Sequence, residues 1–167
     1  AVRYVHVCSE CEDPVRYIDA RLYVWDHSDC VVVSDIDGTI TRSDLGGMWN
    51  TTVRQKVGLS HAGARSAHPG VCRLFHQLRS STGCRILYLT ARPLNLVNET
   101  REYVDTLEQA GLPLPKGPLV TDTTNFWGAA KREVIDKTAD QFKTTVLLRL
   151  RRAFVLAGRD VNRLPVF

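Results

Sequence analysis

The chain has 167 residues, of which 44% are hydrophobic and 24% charged, and a formal net charge of +4. That is the make-up of a folded globular chain, not of a disordered or collagenous one, and the length suits one domain of ordinary size. No apolar run approaches the roughly 20 residues that a membrane-crossing helix needs; Val31-Val32-Val33 and Ile86-Leu87-Tyr88-Leu89 are examples of how short they are.

Two β-rich stretches come first, Val2 to Val7 and Val15 to Trp25, followed by a turn at Asp26-His27-Ser28-Asp29. Val31 to Asp35 reads as a short strand buried on both faces, the kind found in parallel sheets. Residues 46–67 hold four glycines and scattered polar residues, and read as a variable loop or small cap. From His68 to Ser80 the spacing of Val71, Leu74, Phe75 and Leu78 predicts an amphipathic helix. Arg85 to Thr90 is a second buried strand. Leu94 to Ala110 is expected to be a helix stopped by Gly111, and Pro118 to Thr121 a third strand. Two helices are expected over 125–136 and 140–152, then a fourth strand, Phe154-Val155-Leu156-Ala157. Strands alternating with helices indicate an α/β fold, a three-layer Rossmann-like parallel sheet behind a short N-terminal β segment. The division expected is a β-rich segment over 1–29 and the main domain over 30–167.

Five cysteines, an odd number, fit a reducing compartment better than a disulfide scaffold. Cys8-x-x-Cys11 has no second pair to complete a zinc knuckle. The first residues carry no basic-then-apolar leader pattern, and Glu10 and Glu12 come early. The expected setting is intracellular, in the cytoplasm or at the periphery of a membrane, with an organelle interior left open. His68 and His76 are eight apart, not the i, i+4 of a helical two-histidine metal site. Six basic residues (Lys143, Arg149, Arg151, Arg152, Arg159, Arg163) and one acid, Asp160, lie from Lys143 onward. Such a stretch suits an anionic partner or a solvated helix face. No nucleic-acid motif accompanies it.

The chemistry concentrates in Asp35-Ile36-Asp37-Gly38-Thr39, directly after the first buried strand. Two carboxylates two residues apart at the carboxyl edge of a parallel sheet sit where α/β folds bind ligands. They repel each other unless a cation lies between them. Mg²⁺ is the simple solution, because it takes hard oxygen ligands and leaves positions for a phosphate.

Asp35-Ile36-Asp37-Gly38-Thr39 resembles the nucleophile motif of the haloacid-dehalogenase-like phosphatases. That resemblance implies Asp35 as the nucleophile forming an aspartyl-phosphate and Asp37 as acid and base. It implies Thr90, in Thr90-Ala91-Arg92, as a hydroxyl for the transferring phosphoryl group. Lys143 is implied as the positioning cation, with Lys137 and Lys131 behind it, and Asp160 as the late acidic ligand. The metal set is then Asp35, Asp37 and Asp160. Gly38, Thr39, Ala91 and Arg92 are expected against the substrate.

A narrower resemblance rests on Tyr23-Val24-Trp25, the block from Ser34 to Asp44, His68-x-Gly70, Leu74-Phe75-His76 and Leu87-Tyr88-x-Thr90-Ala91-Arg92. Leu114-Pro115-x-Gly117-Pro118-Leu119, Arg132-Glu133-Val134-Ile135 and Phe142-Lys143 extend it. In that order they resemble the catalytic domain of the lipins, Mg²⁺-dependent phosphatidate phosphatases. The implied reaction is hydrolysis of phosphatidate to diacylglycerol and phosphate, with phosphatidate or another anionic phospholipid as partner and contact at the membrane surface. Residues 1–29 would be the remnant of an accessory β-sandwich. The chain departs from the lipin pattern after Gly158: Arg159 stands at the Asn position and Arg163 at the Asp position, leaving Asp160 or Asn162 as the late ligand. That departure supports a second function class, a catalytically impaired module that binds phosphatidate or serves as a structural subunit of a larger complex.

Overall fold

The computed structural model describes residues 2–7, 15–42, 66–122 and 132–160, with side chains described for Val2 and for residues 20–42, 66–122 and 139–160. β1 (Val2–Val7) and β2 (Val15–Ala20) pair antiparallel, in register from Val2 opposite Ala20 to Val7 opposite Val15. β2 closes at Ala20, short of the expected Trp25. Past it, Tyr23 and Trp25 are half-buried, while Leu22 and Val24 are exposed.

The described elements then run β3 (Val31–Asp35), α1 (Val71–Thr82), β4 (Arg85–Pro93), a 3₁₀ turn (Leu94–Leu96) and α2 (Val97–Thr106). They continue with β5 (Glu108–Gln109), β6 (Leu112–Pro113), β7 (Leu119–Asp122) and α3 (Arg132–Leu156). β3, β4 and β7 form a parallel sheet with β4 in the middle.

Side chains on β4 alternate between two cores, as the period of a strand requires. Ile86 and Tyr88 join Phe75, Cys72, Tyr103, Val104 and Leu107 from the α1 and α2 side. Leu87 and Leu89 join Val31 and Phe154, with Phe142, Val146, Leu147 and Leu150 packed around them from α3. The result is three layers, helix on sheet on helix, and the burial of both faces explains the nearly unbroken apolar run of β4. Each fully buried aliphatic side chain, Ile36 and Leu107 among them, contributes roughly 1.5–3 kcal/mol.

Three expectations are corrected. Phe154 to Leu156 is not a fourth strand but the last turn of α3, and the two helices expected before it belong to this one where described. The physical reason is phase: Phe142, Val146, Leu150 and Phe154 recur every four residues and lie on one helical face against the sheet. No glycine or proline interrupts residues 132–156. The stop comes at Gly158, whose φ of 104° lets its N–H reach Val155 O while Arg159 N–H reaches Phe154 O, both at 3.0 Å. This is a Schellman ending.

Secondly, α2 ends at Thr106, not at Gly111. Ala110 and Gly111, at φ 52° and 76°, form the two-residue turn between β5 and β6. Thirdly, α1 begins at Val71, after Pro69 and a left-handed Gly70, so His68 lies outside it. His68 instead offers its backbone carbonyl to Gln109 Nε2 at 2.9 Å.

Of the variable loop, Ser66 and Ala67 are described; Thr41 and Ala67 form an antiparallel bridge at its base. The Cys8–Cys11 pair lies outside the described residues.

Candidate active site

β3 delivers Asp35 to the carboxyl edge of the sheet, and the chain then folds tightly about the carbonyl of Ile36. That oxygen accepts from the backbone N–H groups of Ile40 and Thr41 at 2.9 Å and from the Thr41 hydroxyl at 3.2 Å. Ile36 itself is fully buried in the core. The turn needs Gly38, whose φ is 78°. The hydrophobic residue between the two carboxylates thus anchors them, while Asp35 and Asp37 stay partly open, at 28% and 17% side-chain exposure.

Each carboxylate meets its own cation. Lys143 Nζ, from α3, donates to Asp35 Oδ2 at 2.6 Å, and Asp35 Oδ1 accepts the Ile36 N–H at 2.8 Å. Arg92 grips Asp37 with its planar fork: Nη2 to Oδ1 at 2.6 Å and Nε to Oδ2 at 2.9 Å. Thr90 donates its hydroxyl to Asp37 Oδ2 at 3.2 Å and accepts the Arg92 backbone N–H at 3.2 Å. Arg92 reaches Asp37 because β4 slips register there: Thr90 pairs with Thr121 and Pro93 with Asp122, leaving Ala91 and Arg92 between them. Such irregularities re-aim side chains.

Asp35, Asp37, Thr90, Arg92 and Lys143 are therefore brought to one place. Gly38 and Thr39 are exposed on the adjoining turn, and Ala91 is half-buried on the irregular stretch of β4. Arg92, expected against a substrate, has only 4% side-chain exposure and is committed to Asp37. Asp160 follows α3, whose Lys143 meets Asp35 at the end of β3. Its neighbour Arg159 donates to the carbonyl of Asp29, just before β3, at 2.8 Å. Lys131 and Asn162 lie outside the described residues, as does the side chain of Lys137.

Sequence reasoning did not single out Thr100. It is fully buried on α2 and accepts Arg92 Nη1 at 3.3 Å. The available signal was a polar residue three after Val97 and four before Val104, on the face those two residues make apolar.

Among the described residues, no group of three or more His, Cys, Asp or Glu side chains gathers to hold a metal. Mg²⁺ does not require such a cage: it is commonly held by one or two carboxylates, waters and a substrate phosphate. The half-open Asp35 carboxylate offers oxygen of that kind.

Residues 2–163 match the family described as LNS2 (Lipin/Ned1/Smp2). The chain belongs to the lipin family. It is 35% identical over 136 residues to human phosphatidate phosphatase LPIN1, which covers 81% of this chain and 14% of that protein. It is 37% identical over 137 residues to phosphatidic acid phosphohydrolase 1 of Saccharomyces cerevisiae, covering 82% of this chain and 15% of the relative. Nuclear elongation and deformation protein 1 of Schizosaccharomyces pombe is 37% identical over 148 residues, 89% of this chain and 21% of its own. This lipin-family chain thus spans about a seventh to a fifth of the curated relatives it matches. No helix among its described residues is long and apolar enough to cross a membrane.

Proposed function

We propose that this lipin-family domain is a Mg²⁺-dependent phosphatase of the haloacid-dehalogenase-like type, hydrolysing phosphatidate to diacylglycerol and phosphate. The observation that carries it is the pair Asp35 and Asp37 at the sheet's carboxyl edge, each beside a fixed cation. The names of the human and yeast relatives supply the substrate class.

An Asp35 carboxylate oxygen attacks phosphorus, forming an aspartyl-phosphate as the bond to the glycerol oxygen breaks. Asp37 gives a proton to that departing oxygen. In the second half-reaction Asp37 takes a proton from water, the water oxygen attacks the aspartyl-phosphate, and phosphate leaves with Asp35 restored. The Lys143 ammonium stands where it can offset charge on the phosphoryl oxygens. Mg²⁺, held by the Asp35 carboxylate and the Asp37 backbone carbonyl, would supply the remaining positive charge at the phosphoryl group. Thr90 links the two roles. When its hydroxyl turns from Asp37 to a phosphoryl oxygen, it frees a lone pair on Asp37 Oδ2 for the proton.

A second reading, a module that binds phosphatidate without turning it over, is favoured by Arg159, which stands at the lipin Asn position and donates to the Asp29 carbonyl before β3. One experiment separates the two: phosphate release and vesicle co-sedimentation on phosphatidate vesicles, with and without Mg²⁺, for the wild type and Asp35→Asn. The phosphatase reading expects Mg²⁺-dependent release that Asp35→Asn abolishes. Binding without release by the wild type selects the second reading.

A further inference from the structure

Asp37 is the more enclosed of the two carboxylates, and its surroundings are built in layers. Arg92 meets both of its oxygens, with Nε also 3.2 Å from Oδ1. Behind Arg92 stands Thr100, fully buried on α2, receiving the remaining guanidinium nitrogen at 3.3 Å. In front, Thr90 is tied both to Asp37 Oδ2 and to the Arg92 backbone N–H. A fork-to-fork pair fixes the plane of a carboxylate as well as its charge, which a lysine ammonium cannot do. A buried arginine with all three nitrogens engaged is placed to orient a neighbour, not to greet a ligand from solvent.

We propose that Arg92 and Thr100 are positioning residues for Asp37, with Thr100 holding the Arg92 guanidinium in the one plane that presents Asp37 to the reacting oxygens. Neither touches substrate. The inference rests on the phosphatase reading for its kinetic consequence, and on geometry alone for the clamp itself.

Substitutions at both residues test it. Arg92→Lys keeps the charge and loses the fork; kcat is expected to fall about 100-fold with KM on phosphatidate vesicles changed less than about threefold, the scale of a misplaced reacting group. Thr100→Val keeps the shape and removes the hydroxyl; kcat is expected to fall about tenfold, and Thr100→Ser to restore most of it. A rise in KM at constant kcat in Arg92→Lys makes Arg92 a substrate contact and overturns the proposal.

A second readout does not depend on turnover. In ¹⁵N-labelled wild type the Arg92 Nε–H is expected to exchange slowly with solvent, and at least tenfold faster in both Asp37→Ala and Thr100→Val. Fast exchange in the folded wild type, or no acceleration in Thr100→Val, overturns the clamp. If the wild type releases no phosphate while the protected Nε–H responds as stated, the clamp stands and the phosphatase reading falls. Circular dichroism of each variant separates loss of the clamp from loss of the fold.

Discussion

Lys143 and Asp35, 108 positions apart in the chain, meet Nζ to Oδ2 at 2.6 Å. The contact crosses between layers, since Asp35 ends β3 and Lys143 belongs to α3. With both partners about a third exposed, the pair adds little to stability and is worth more as a preset charge. Lys143→Met is expected to lower Mg²⁺-dependent phosphate release at least about 100-fold, the loss typical of a transition-state charge partner. The melting temperature should move by no more than about 3 °C. A large fall in melting temperature with activity preserved at low temperature would make Lys143 structural.

Gly117 is required by space. A Cβ at that position would sit 2.1 Å from the carbonyl oxygen of Ile86, on β4. Backbone cannot give way as a side chain does, so Gly117→Ala must push the approach to β7 away from the sheet. Urea denaturation is expected to show a loss of roughly 1–3 kcal/mol or more, and an unchanged midpoint would contradict the close approach.

Tyr88 gives a pH dependence with a definite sign. It is fully buried, donates its hydroxyl to Pro115 O at 2.5 Å, and burial holds its phenol well above the ordinary value of 10.0. The folded chain therefore keeps a proton that the unfolded chain gives up near pH 10. The stabilisation is complete below that pH and drains as pH rises from there toward the folded value. Thermal melts across pH 8–12 should show stability falling above about pH 10 in the wild type. The fall should be shallower in Tyr88→Phe, which at neutral pH is itself less stable by about 1–3 kcal/mol because Pro115 O loses its donor.

The described cysteines should separate by reactivity. Cys30 is exposed, whereas Cys72 and Cys84 are buried. Burial pushes the Cys72 thiol upward, thinning the thiolate that does the chemistry. Pulsed alkylation at neutral pH, mapped by mass spectrometry, should mark Cys30 in seconds to minutes. Cys72 and Cys84 should be marked only once denaturant unfolds the chain. Equal labelling of Cys30 and Cys72 in the folded protein would contradict this packing.

The sequence made the carboxyl edge of the sheet readable because strand-ending Asp35 and Asp37 depend on local features, a triple-valine strand and an Asp-Gly turn. Thr90 and Lys143 followed from a family resemblance, and they do stand beside the pair. The role of Arg92 was not readable, because nothing in Thr90-Ala91-Arg92 announces a slip in the pairing of β4 with β7. The run from Phe154 to Ala157 could not be assigned from composition, because a short apolar run fits strand and helix equally. Its phase with Phe142, Val146 and Leu150 decides the matter, and so does the wait for Gly158 before any stop signal.

Helix α3 is tied at both ends of the sheet, by Lys143 to Asp35 at one edge and by Arg159 to the Asp29 carbonyl at the other. Phe142, Val146, Leu150 and Phe154 fix its rotation against the sheet. The helix therefore acts as a ruler of set length and phase. Removing one residue between Lys143 and Phe154 would shorten it by about 1.5 Å and turn Lys143 by about 100° relative to the packed face. Substitutions along its outer surface are tolerable in this arrangement, but insertions and deletions are not, because they turn Phe142 off the packed face together with the ammonium at Asp35.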